Sequence, residues 1–275
     1  MYLRGVVLRS ARVTRESYGG CTVVLFASES QSFFSRAGLS GFGFRWLHIL
    51  LGVTWIGLLY FFNFVQVPAY AEFGDDAKAR NLAIDKVTRR ALWWFRWAAL
   101  GTFLTGIIIA GYTKDYFDAG LKDASNSGIV TGMLLGTIML LNVWGVIWPN
   151  QKIVLANAAN VYAGHPADPA AAAAARRGAM ASRQNTLFSI AMVWFMVFKS
   201  HAPYLGEMSS GKFAFYWIVA LVLIAVLELN ALGLMPWKTE PKKGLNVAYD
   251  SVQNVLIAGF GLWVIFLIMW EIVKP

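Results

Sequence analysis

Cysteine is almost absent from this chain. Cys21 stands alone among 275 residues. That excludes an internal disulfide and a Cys-based zinc site, and with no Cys-x-x-Cys-His it excludes covalently attached c-type haem. Charge is scarce as well. Only 14% of residues are Asp, Glu, Lys or Arg, against about 25% in a soluble domain. The net charge is +9, but the basic residues are dispersed over several hydrophilic segments. No basic stripe with interleaved aromatics runs along the chain, so no nucleic-acid partner is expected. Dispersed Lys and Arg suit membrane topology signals and anionic headgroups instead.

What the chain has in quantity is apolar surface: 57% of residues are hydrophobic and 15% aromatic. Apolar segments of about 20 residues, enough to cross about 30 Å of hydrocarbon, recur along it. They lie at 43–67, 91–111, 128–149, 185–204, 213–235 and 248–272. Helices are the expected form, because an open sheet edge cannot face lipid. The predicted fold is therefore an all-α polytopic bundle of about six transmembrane helices in a lipid bilayer, with a bacterial inner (plasma) membrane as the expected location. Residues 1–40 fall outside this pattern. Arg4, Arg9, Arg12 and Arg15 precede a run, Cys21 to Ala27, too short to span and without a clear cleavage site. Residues 1–40 are read as an unstructured or doubtful extension, and 41–275 as the transmembrane domain.

The connections carry local signals. Asp75 or Asp76 can cap a helix over Ala77 to Arg90, which lacks Gly and Pro. Asp168-Pro169 followed by alanines is a good helix start, and that helix is expected to run into span four. Gly128, Gly132 and Gly136 repeat every four residues, a small-residue face for close helix approach. Lys and Arg concentrate in the connections 68–90, 150–184 and 236–247. The positive-inside rule places these in the cytoplasm and both termini outside.

Two histidines fall in the apolar region, His48 in span one and His201 at the end of span four. An intramembrane imidazole is costly unless paired, hydrogen-bonded or metal-bound. Either is explained by a simple hydrogen bond at a helix end. Both, however, should come to similar depth near one membrane face, where two imidazoles from different helices can hold a haem iron. A second polar group gathers in the opposite half: Arg96, Asn142, Arg183, Asn185, Glu228 and Asn230. A structural network with Glu228 paired to Arg96 or Arg183 is one reading, and an anion or proton site is the other.

Two strings carry a resemblance. Arg45-Trp46-Leu47-His48 with Gly52-Val53-Thr54-Trp55-Ile56-Gly57-Leu58-Leu59-Tyr60-Phe61-Phe62-Asn63, and Ser182-Arg183-Gln184-Asn185-Thr186-Leu187-Phe188-Ser189-Ile190-Ala191-Met192 ending at Ser200-His201, resemble the PuuD-type urate hydroxylase membrane domain. That domain is also called the urate oxidase N-terminal domain, and the likeness runs from about 40 to 272. It implies oxidation of urate, or a related small molecule, to 5-hydroxyisourate with electrons passed to a respiratory chain. Full proteins of that kind add a C-terminal cytochrome c domain. The chain stops at Pro275, so the expected acceptor is a separate cytochrome c or quinone. With the resemblance, haem b is the expected cofactor, with His48 and His201 as ligands to its iron. Arg183, Asn185, Arg96 and Glu228 are the candidate substrate contacts, and no catalytic residue is assigned. The first string also resembles, more faintly, HemJ and CopD membrane proteins. The alternatives are therefore a HemJ-like haem or porphyrin protein, and a non-enzymatic accessory subunit of a respiratory complex.

Overall fold

The computed structural model describes residues 12–18, 21–27, 34–35, 38–112, 120–201, 205–235 and 243–275. Near the N-terminus, β1 (Arg12–Tyr18) pairs antiparallel with β2 (Cys21–Ala27). The ribbon lies within the 1–40 extension. A lone two-stranded ribbon has little stability of its own.

Among the remaining described residues the architecture is helical. Five helices are long and apolar enough to cross a membrane: α1 (Gly41–Glu72), α2 (Ala77–Gly111), α3 (Ala124–Tyr162), α5 (Ser210–Ala231) and α6 (Val252–Val273). Between α3 and α5 runs α4 (Ala171–His201), and a 3-10 turn, Gly244–Tyr249, leads into α6. The chain is an all-α integral membrane protein. Helix starts follow the expected chemistry. The Asp76 carboxylate accepts from the Ala79 amide at 2.9 Å, opening α2. The Asp168 carboxylate accepts from the Ala170 amide at 2.8 Å, opening α4. Ser209 and Ser251 cap α5 and α6 in the same way.

The sixth expected span is α4, and it differs from the others in kind. Its 31 residues extend about 46 Å, well past the bilayer thickness. It packs against α3, α6 and its own N-terminal neighbour, the end of α3. Because protein rather than lipid surrounds it, it carries buried polar residues: Gln184, Asn185, Thr186 and Ser189 are all fully buried. The glycine face of α3 makes this packing possible. A Cβ on Gly132 would lie 2.9 Å from the Phe195 Cβ, and one on Gly128 3.2 Å from the Trp270 ring. Gly259 does the same for α6, where a Cβ would come within 3.0 Å of the Leu187 carbonyl oxygen.

α1 pairs closely with α2 and reaches α4 through two side-chain contacts. The Tyr60 hydroxyl meets Ser189 Oγ at 2.8 Å, and Asn63 Nδ2 donates to Ser182 Oγ at 2.9 Å. Moving forward on α1 moves backward on α4, so the two helices are antiparallel. Wide π-type turns interrupt α1 at Phe61–Gln66 and α3 at Asn142–Ile147. Each holds a buried asparagine, Asn63 or Asn142.

Candidate functional site

Two regions of the bundle carry the polar side chains. The first is a cavity of about 640 Å³ between the α1–α2 pair and the α3–α4 pair. His48, Gly52, Trp55 and Tyr60 line it from α1, Thr102 and Gly106 from α2, Met133, Gly136 and Thr137 from α3, and Met192, Met196 and Val197 from α4. Its volume falls in the range of cofactor sites. Its rim residues Ile49, Val53 and Ile107 are exposed on the flank of the bundle.

The protonation of His48 follows from its neighbours. Its Nδ1 lies 3.0 Å from Thr105 Oγ1. The Thr105 hydroxyl has one proton, and it points at its own helix carbonyls, Gly101 at 2.8 Å and Thr102 at 2.9 Å. The Thr105 oxygen must therefore accept from the imidazole. With Nδ1–H so engaged, Nε2 is the ring nitrogen left for a metal. A hydrogen bond on one ring nitrogen that orients the other is how metal-ligating histidines are held. Gly106 makes room for the ring: a Cβ there would sit 3.2 Å from His48 Cε1.

The other polar groups on the wall also spend their protons elsewhere. Thr102 donates to the Ala98 carbonyl and Thr137 to the Met133 carbonyl. Ser189 gives its proton to the Thr186 carbonyl, so Tyr60 donates to Ser189. The cavity thus presents lone pairs. The buried Trp55 indole N–H is the donor on this wall without a partner.

His201 reaches the same depth. His48 lies twelve residues before Tyr60 and His201 twelve after Ser189, each about 18 Å from the Tyr60–Ser189 contact. The His201 Nδ1–H donates to the Val197 carbonyl at 3.0 Å. His201 is exposed, one turn beyond the cavity-lining Val197, and is not among the residues that line the cavity.

The second region lies towards the end that bears the Lys- and Arg-rich connections. Asn142 Nδ2 donates to Asn185 Oδ1 at 3.0 Å and to Glu228 Oε2 at 3.2 Å. Asn185 Nδ2 donates to the Met139 carbonyl at 2.9 Å. The Tyr249 hydroxyl donates to Gln184 Oε1 at 2.5 Å, and Arg183 donates to the Tyr249 carbonyl. Gln184 Nε2 is buried and faces the Glu228 carboxylate. Asn185, Glu228 and Arg183 therefore fall in one cluster spanning α3, α4, α5 and the 3-10 turn. The expected pairing of Glu228 with arginine is replaced. Its carboxylate is held by Asn142, and no ion pair among the described residues includes it. The reason is the wide turn at Asn142–Ile147, which brings Asn142 between α4 and α5. Arg96 is not in the cluster; its guanidinium stacks 3.8 Å over the Trp148 ring.

Gln184 and Tyr249 were not singled out from sequence. Gln184 sits inside the quoted string Ser182-Arg183-Gln184-Asn185, which was the available signal. Tyr249 sits in a short turn between spans and offered none.

Comparison with known proteins bears on this second region directly. A family model described as urate oxidase N-terminal matches residues 121–258. The chain belongs to the urate oxidase N-terminal family. The family match contains the whole Asn142–Asn185–Gln184–Glu228–Tyr249 cluster and His201, whereas His48 and Arg96 precede it. No curated protein and no solved structure matches the chain.

Proposed function

We propose that this member of the urate oxidase N-terminal family is a membrane oxidoreductase of the urate-hydroxylase type. Urate, or a related small molecule, is oxidised at the polar cluster, and electrons leave through haem b at His48 to a separate cytochrome c or quinone. The observation that carries this reading is the placement of His48: its Nδ1 is held by Thr105 at 3.0 Å, and its ring lines an apolar cavity. Such a donor in apolar surroundings suits an iron porphyrin, and burial with axial-ligand choice tunes its potential. His201, one turn beyond the cavity-lining Val197, is the second candidate ligand. When bound, haem would supply a one-electron carrier between substrate and acceptor.

The overall conversion balances as urate plus water giving 5-hydroxyisourate, two protons and two electrons. The cluster residues fit the polar half of that task. Arg183 can donate to a planar anion, Asn185 orients it, and Glu228 can take up a released proton. Glu228 is positioned for that by Asn142.

The test is a visible spectrum of the purified protein, oxidised and dithionite-reduced, with pyridine haemochrome analysis, followed by anaerobic urate addition. Haem b reduced by urate is the expected result. Haem without urate-dependent reduction favours the HemJ-like alternative, and absence of haem sinks the redox reading.

A further inference from the structure

Arg96 and Lys152 are two cations without an acidic partner, and they share one indole. The Arg96 guanidinium lies 3.8 Å from the Trp148 ring centroid and the Lys152 ammonium 6.0 Å from it. Among the described residues, Asp85 pairs with Lys86 and Arg89, and Glu271 with Lys274; none of these ion pairs includes Arg96 or Lys152. The contrast with Arg89 is instructive. Arg89 sits two turns earlier on α2, and Asp85 neutralises it. Arg96 has no such neighbour, and its Nε–H is buried without an acceptor. A buried guanidinium N–H left unpaired is costly, so an acceptor from outside the chain is the natural complement.

The surroundings say where that acceptor comes from. Trp93, Trp94 and Trp97 project from the same stretch of α2, with Trp94 60% exposed, and Trp97 meets Trp144 edge-on at 5.4 Å. These indoles open the apolar stretch 91–111, and exposed indoles at the edge of an apolar span mark the headgroup level of a bilayer. This end of the bundle also bears the basic connections 68–90 and 150–184. We infer that Arg96, Trp148 and Lys152 form a headgroup site for an anionic glycerophospholipid. The guanidinium takes two phosphate oxygens with its planar fork, Lys152 adds a second charge, and the indoles hold the glycerol and upper acyl region. Basic sites between transmembrane helices recognise anionic headgroups by this chemistry. The site lies outside the Asn142–Glu228 cluster, so it stands or falls independently of urate.

The experiment uses the full chain in detergent, titrated with phosphatidylglycerol, phosphatidylcholine or inorganic phosphate and read by native mass spectrometry. Phosphatidylglycerol should bind at least tenfold tighter than phosphatidylcholine. The paired substitution Arg96→Gln with Lys152→Gln should lower phosphatidylglycerol affinity about tenfold or more, as loss of two cations at a membrane surface implies. Lys78→Gln, which removes a cation lying over the Tyr162 ring, should not. If the double variant does not fold, Lys152→Gln alone should still weaken phosphatidylglycerol several-fold. Equal binding of the two lipids, or unchanged affinity in the folded variants, overturns the site. Displacement of phosphatidylglycerol by low-millimolar phosphate overturns the lipid assignment in favour of a free oxyanion.

Discussion

The cavity at His48 and the cluster at Glu228 are built from opposite hydrogen-bonding capacities. Around the cavity most protons are spent on a backbone carbonyl or a neighbouring hydroxyl, and what remains is the Trp55 N–H and the lone pairs of Tyr60, Thr102 and Thr137. In the cluster the Asn142 and Gln184 amides serve the Glu228 carboxylate, and the Arg183 guanidinium donates beside them to the Tyr249 carbonyl. A lone-pair-lined apolar space suits an electron-poor metal centre and repels an anion. A donor-rich polar cluster suits an anion and offers iron little. One bundle can therefore hold a redox carrier and a polar substrate in separate places without either competing for the other's site.

His48→Ala should break the difference most severely. It removes the cavity's imidazole and should abolish haem incorporation, read as haem per protein, while the helix content by circular dichroism stays. His201→Ala is the sharper companion. If His201 is the second ligand, the variant keeps some haem but loses the low-spin spectrum; an unchanged spectrum removes it from the site. Gly106→Ala should act next most strongly, because its Cβ would meet His48 Cε1 at 3.2 Å. The expected outcome is a shifted Soret band with turnover falling in step with haem content. A spectrum identical to the parent would show that the imidazole has freedom that the packing denies it.

Much of the framework was legible before any coordinates. Hydropathy runs located the helices, and Asp76 and Asp168 open theirs as their chemistry predicts. The spacing of Gly128 and Gly132 announced a close approach, which α4 and α6 make. The equal depth of His48 and His201 follows from antiparallel helices. What could not be read is tertiary. The central place of α4 depends on which helices surround it, and the burial of its amides Gln184 and Asn185 follows from that packing. The partner of Glu228 was misassigned for a related reason: charge attraction favours arginine, but a wide turn in α3 delivers Asn142 first. The cavity itself belongs to no single helix, since four contribute walls.

Asn142→Leu should separate the two regions cleanly. It leaves Asn185 Oδ1 without its donor and takes one from Glu228, and buried polar groups so abandoned cost about 1–3 kcal/mol. Thermal unfolding should fall accordingly and urate turnover should drop, whereas haem content and spectrum should hold. Equal loss of haem would mean that the cluster and the cavity form one cooperative unit.

The smallest expected effect, and the most discriminating, is that of Arg183→Lys. Arg183 donates to the Tyr249 carbonyl, and Tyr249 in turn holds Gln184. An ammonium can replace that single bond, so stability should change by no more than about 1 kcal/mol, the worth of an ordinary hydrogen bond. What lysine cannot replace is the planar fork for a planar anion. If Arg183 binds substrate, the KM for urate should rise several-fold, with the haem spectrum and the melting temperature nearly unchanged. If it serves only to anchor Tyr249, the melting temperature should fall and turnover per folded haem should match the parent. The ratio of the two changes decides whether the donors of the cluster serve the substrate or the fold.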